Sequence, residues 1–205
     1  AMRRLVSLQT LKAPKEKIFD ASFWIFVASL FHFWAILFIL LVYISIIFHV
    51  TRDYRNWLIP FIALFSSSTI FVFYALLFDK QAIDAYLLSE VINLQVDYFT
   101  NNYQNIAFSI YAVFAVFFVL PYLFTLTNKP LNLKASYKKV LLAFFIGIAI
   151  FFISAYKSNE VLVYTFLPMA IMATNTVEYL QNKIQQEIIL FVSIICGVFC
   201  FFSQL

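Results

Sequence analysis

Residues 18–49 read IFDASFWIFVASLFHFWAILFILLVYISIIFH, an apolar run interrupted by Asp20 near its start and by His32 near its middle. A helix crosses the hydrocarbon core of a bilayer with about 20 apolar residues, each rising about 1.5 Å. This run is therefore too long for one perpendicular crossing and too short for two full ones. An ionisable ring inside such a segment marks a proton path, a ligand or a break in the helix. The threading of this run sets the topology of everything that follows it.

Charge arbitrates between the two routes. If residues 18–49 cross once, Lys and Arg divide seven against seven between the two sides, and no orientation emerges. If the run enters and leaves on one side, Arg3, Arg4, Lys12, Lys15, Lys17, Arg52, Arg55, Lys129, Lys134, Lys138, Lys139 and Lys183 share that side, and only Lys80 and Lys157 oppose them. Positively charged loops stay cytoplasmic, so the asymmetric route is the expected one. It makes residues 18–50 a re-entrant or broken helical hairpin, with residues 1–17 and 51–56 cytoplasmic and a tip near His32, Phe33 and Trp34. Re-entrant backbone survives only under cover of protein or in a wet cavity, so the tip is expected to be shielded from lipid.

The rest of the chain agrees with a polytopic, all-α transmembrane helix bundle. Its 205 residues are 64% hydrophobic and 12% charged, with a mean hydropathy of +0.91, which lies outside the range of ordinary soluble domains. The net charge of +4 sits in short loops rather than on one face, so the partner is the lipid bilayer and not nucleic acid. Five spans follow the hairpin, at residues 57–78, 106–126, 140–156, 161–180 and 188–202, within a single transmembrane domain over 1–205. Pro60, Pro121 and Pro168 read as kinks. The span at 161–180 turns polar after Ala173, with Thr174, Asn175, Thr176 and Glu178, so its end is expected at the interface or against other protein. The opening AMRRLVSLQTLK has no signal-peptide pattern, and an internal start, with further spans ahead of it, is expected.

Few residues carry chemistry. Cys196 and Cys200 lack companions in a metal-ligand pattern and read as structural. Two glycines make no phosphate-binding loop, and His32 and His49 form no metal motif, so neither metal nor cofactor is expected. His32 and Trp34 at the hairpin tip, and Arg52, Asp53 and Arg55 in HVTRDYRNW (49–57), are the candidate functional or lipid-phosphate contacts. Arginines with Tyr54 and Trp57 beside a membrane equally serve as headgroup anchors. A neutral His32 bonded at a helix break is the simpler reading than a proton carrier. The loop 79–105 would lie outside and holds the acids Asp79, Asp84, Glu90 and Asp97, with Ile83, Leu87, Val91 and Leu94 at the spacing of an interfacial amphipathic helix. Ser66, Ser67, Ser68 and Thr69, in mid-span, suit close helix packing.

Several strings taken together, RRLVSLQTLK, KIFDASFWIFVASLFHFWAILF, DYRNWLIPF and YTFLPMAIMATNTVEYLQNKIQQEIIL, resemble an uncharacterised multi-pass membrane family of Bacteroidota, the domain of unknown function 6427. The resemblance runs from Arg3 to about Leu190, as the C-terminal two-thirds of longer members with more spans before the Arg-Arg pair. It implies the inner membrane of a Gram-negative cell envelope and assigns no catalytic residue. The leading expectation is a non-catalytic subunit of a larger membrane complex, with other membrane-protein subunits as partners. Second is an enzyme of the multi-pass glycosyltransferase kind, acting on polyprenyl-phosphate-linked sugars with an outer acid as base. A transporter comes third, without the repeated broken helices such proteins show.

Overall fold

The computed structural model describes residues 1–50, 53–78, 81, 83, 86, 102–154 and 159–204. Among them every regular element is helical. In chain order these are α1 (Met2–Val6), a 3-10 turn (Ser7–Thr10), α2 (Pro14–Phe31), a second 3-10 helix (Phe33–Phe38), α3 (Ile39–His49) and α4 (Arg55–Phe78). Then come α5 (Asn102–Asn128), α6 (Leu131–Ile153), a third 3-10 turn (Asn159–Leu162), α7 (Val163–Tyr179) and α8 (Lys183–Gln204). Arg55–Phe78, Asn102–Asn128, Leu133–Ile153 and Asn159–Tyr179 are long and apolar enough to cross a membrane. The fifth expected span falls within α8, a helix of 22 residues. By their contacts the helices fall into two compact units, the first Ala1–Leu94 with Phe152–Ala155, the second Gln95–Phe151 with Tyr156–Leu205.

In the first unit the run 18–49 is a broken hairpin. His32 takes an extended conformation (φ −144°, ψ 106°), its N–H still donating to the Ala28 carbonyl (3.1 Å) while its own carbonyl accepts from Ala35 N–H (2.9 Å). α2 ends there and the 3-10 helix begins. Neither Pro nor Gly forces the break. Phe31, His32, Phe33 and Trp34 follow one another, and ring side chains lose rotamer freedom against the preceding turn of an α-helix. The chain then returns, because Lys15 Nζ lies 3.3 Å from the Asp53 carboxylate and so closes the two ends of the hairpin. The 3-10 stretch rises about 2 Å per residue, so a return arm shorter by one residue still matches the roughly 27 Å of α2.

The hairpin is deeper than a shallow re-entrant loop. Near its base Tyr43 packs on Trp57 and Phe61 (ring centroids 5.8 and 6.5 Å). At its tip Phe33 meets Trp34 and Tyr86 (5.3 and 5.8 Å), and Tyr86 also meets Phe71 of α4 (5.5 Å). Each arm has the length of a minimal crossing, about 17 residues. The tip is covered on the Phe33 side, whereas Phe31 is 89% exposed, so the expected shielding holds for one face of the tip only.

Residues 1–10 are not a free tail. Leu11 and Ala13 adopt left-handed φ values (52° and 46°) and turn the chain back so that α1 lies across the hairpin's mouth. Two such residues cost about 1–2 kcal/mol each. Leu5 and Leu8, both fully buried, return about 1.5–3 kcal/mol apiece and cover that cost. Arg4 pairs with Asp20 (3.1 Å), and Lys17 Nζ donates to the Ser7 carbonyl and to Thr10 Oγ1 (2.9 Å each).

In the second unit α6 starts at Leu131, nine residues before the expected span. Lys134, Lys138 and Lys139 therefore lie on its first turns instead of in a loop. Lysine is a good helix former whose stem packs on apolar surface, and the Pro130 carbonyl accepts from the N–H groups of Leu133 and Lys134 (3.0 Å each). The buried face of α6 runs Ser136, Val140, Ala143, Gly147 and Ile150, alternating four and three residues as a packed helix seam does. Tyr122 and Tyr137 stack at 5.1 Å at one end of the unit, and Phe108 and Phe151 at 5.8 Å toward the other, so α5 and α6 are antiparallel.

Candidate functional site

The hairpin mouth is built on the N-terminus of α4. Asp53 accepts a hydrogen bond from Arg55 N–H (3.1 Å) and so satisfies one of the four donors that open a helix. That backbone bond, helped by the Lys15 ammonium, holds the Asp53 carboxyl below the usual carboxylate range. Asn56, almost fully buried, donates from Nδ2 to the Val50 carbonyl (3.2 Å) and ties α4 to the end of α3. The Arg55 guanidinium stays over the ring of Tyr54 at 6.0 Å. The outcome is a clamp of basic groups whose anion partners are partly internal.

Two of the expected contacts stand far from this clamp. His32 and Trp34 lie at the tip, at the opposite end of the return arm from Asp53 and Arg55. Trp34 Nε1 is shielded and has no hydrogen-bond partner among the described residues. Arg52, and the acids Asp79, Asp84, Glu90 and Asp97, lie outside the described residues. No three His, Cys, Asp or Glu side chains among the described residues group as metal ligands.

A lowered carboxylate pKa sets a testable sign. Asp53 contributes stability that is fully present above its unfolded pKa, near 4, and is lost as pH falls through its lower folded value. Asp53→Asn keeps a side chain able to cap α4 but removes the charge, whereas Asp53→Ala removes both. Thermal unfolding in detergent should rank wild type above Asp53→Asn above Asp53→Ala at pH 7. The gap between wild type and Asp53→Asn should close at the acid end.

The second unit holds polar contacts whose partners the sequence does not show. Thr165, fully buried, donates to the Leu162 carbonyl (2.6 Å), and its hydroxyl oxygen takes the hydroxyl of Tyr111, linking α5 to α7. Tyr137 donates to Asn175 Oδ1 (2.7 Å), and Tyr122 donates to the Tyr137 carbonyl (3.2 Å). Asn175, expected to face the interface or another protein, is thus satisfied inside its own unit. Lys139 is wholly buried, while its neighbour Lys138 is exposed. The four-three phase of the α6 seam, which buries Val140 and hence its neighbour, is the signal that could have separated them.

A cavity of about 480 Å³ lies among α5, α7 and α8, lined mostly by apolar groups such as Phe108, Phe118, Phe166 and Met169. The family model described as "Family of unknown function (DUF6427)" matches residues 4–205, all but the first three residues, and not a stretch ending near Leu190. No curated protein and no solved structure matches.

Proposed function

We propose, from the premise that the chain belongs to the DUF6427 family, that it is a non-catalytic helix-bundle subunit of a larger assembly in a bacterial inner membrane. Its hairpin mouth, with residues 1–17 and 51–56, faces the cytoplasm, as the twelve-to-two division of Lys and Arg favours.

The observation that carries this reading is the outer face of α4. The helix commits Asn56, Pro60, Ala63, Ser67 and Ala75 to its own unit. Ser68 and Thr69, in mid-span, are exposed on other faces, beside Phe65, which is 74% exposed. Small hydroxylated residues in a bilayer favour the close approach of another helix, where packing and hydrogen bonds drive association in the absence of a hydrophobic force. Thr69 back-bonds to the Phe65 carbonyl (2.8 Å) and so brings no unsatisfied group to such a contact. The separation of His32 and Trp34 from Asp53 and Arg55 weighs on the same side, since catalysis needs its groups within reach of one reacting atom.

Purification in mild detergent should yield a partner in fixed stoichiometry. Ser68→Phe, which blocks close approach, should release it, and Ser68→Ala should retain it. A monodisperse chain that turns over a polyprenyl-phosphate-linked sugar would overturn this reading in favour of the enzyme.

A further inference from the structure

The cavity of the second unit has a direction. It follows α5 from Ala107 to Phe118, about 16 Å along the helix axis. One end lies near Asn159, in the turn that precedes α7, and the other reaches Ala173 and Ser193. At 480 Å³ it falls in the size range of ligand pockets. Among the described residues its lining has no Lys, Arg, His, Asp or Glu, and its hydroxyls are largely occupied. Tyr111 bonds to Thr165, and Ser193 donates to the Ile189 carbonyl (2.7 Å).

Water is a poor occupant of such a half-open apolar space, because a held water needs two to four polar partners. An empty void forfeits the dispersion contacts of every atom that lines it. In a helix bundle surrounded by lipid, the available filler is an alkyl chain. Gly197 on α8 keeps this space open, since a Cβ built there meets nothing within 4 Å.

One polar atom qualifies the occupant. Asn159 Nδ2 donates to the Gln104 carbonyl (3.2 Å), which fixes the other amide atom as the acceptor. That oxygen, Oδ1, is screened from solvent and has no partner among the described residues. A buried acceptor left without a donor is costly, and a donor at the end of a bound chain would relieve it.

We infer that this cavity is a binding site for a single alkyl chain of an uncharged amphiphile, whose hydroxyl or amide N–H donates to Asn159. Among the described residues the lining offers no cation for a phosphate or carboxylate head. The site does not depend on the subunit reading.

The test uses the full chain in lipid nanodiscs and a hexadecanol probe carrying a mid-chain diazirine. Illumination should label peptides from residues 107–118, 162–173 and 193–201 well above those of α4. Unlabelled hexadecanol should compete severalfold better than hexadecyl phosphate or hexadecane. Gly197→Phe fills open space and should suppress the labelling while leaving the unfolding temperature in place. Asn159→Leu should abolish the preference for the alcohol over the alkane. Labelling spread evenly over all helices, or unchanged in Gly197→Phe, would overturn the site. Equal competition by the phosphate, or by the alkane in the unaltered chain, would overturn the assigned head group.

Discussion

Gly147→Leu should separate α6 from α7 and lower stability by about 3 kcal/mol or more, at the upper end of what overpacking costs. The reason is local and steric. A Cβ placed on Gly147 lies 2.7 Å from Thr165 Cγ2 and 3.1 Å from the backbone carbon and oxygen of Tyr164. Thr165 cannot swing away cheaply, because it is fully buried, donates to the Leu162 carbonyl and holds the Tyr111 hydroxyl. Rotating it to admit a methyl group would break the link between α5 and α7. Even Gly147→Ala tests the balance, since alanine gains about 1 kcal/mol of helix propensity over glycine. The clash should win, and Gly147→Ala should unfold at a lower temperature than wild type. Gly197→Ala supplies the control. It gains the same propensity with nothing to hit, so its unfolding temperature should stay level or rise. Equal shifts in the two alanine variants would show that α6 and α7 do not approach as closely as described.

The two glycines also show which parts of this fold can be read without coordinates. Apolar length alone located the helices that carry the four membrane-length segments, because a bilayer imposes length more strictly than any soluble core does. The hairpin at 18–49 needed a second signal, the Lys and Arg distribution, since hydropathy is continuous through Phe31, His32 and Phe33. Its depth was not legible, because a 3-10 helix at Phe33–Phe38 stretches the return arm and no residue there announces it. The closed mouth was equally hidden. No sequence signal marks Leu5 and Leu8 as core, and the left-handed turns at Leu11 and Ala13 accompany their burial.

For the candidate site, residue type was informative and distance was not. His32, Trp34, Asp53 and Arg55 are the right kinds of side chain for a lipid-phosphate contact, yet one arm of the hairpin separates the first two from the last two. The cavity in the second unit had no signature at all. Its lining is mostly apolar, rich in Phe with Ile110 and Leu162, residue types that are also exposed on other faces of these helices.

Lys139→Ala should destabilise the second unit by about 2–4 kcal/mol, comparable to truncating a buried methionine, while Lys138→Ala, one residue away, should stay within about 0.5 kcal/mol of wild type. The pair isolates burial, for Lys139 is fully enclosed and Lys138 is exposed. Alanine at 139 removes a four-carbon stem packed beside Val140, Ala143 and Phe144 on the inner side of α6, and it removes the ammonium as well. Lys139→Met separates the two effects by keeping the stem. Replacing a buried ionic group by an apolar residue of similar volume is often neutral or stabilising, unless it strands an opposite charge. Methionine retains the packing of the stem, and Lys139→Met should recover most of the stability lost in the alanine variant. Denaturant titrations in mixed micelles, read as unfolding midpoints, order the variants. If Lys139→Met falls as far as Lys139→Ala, the ammonium rather than its stem holds α6 in place.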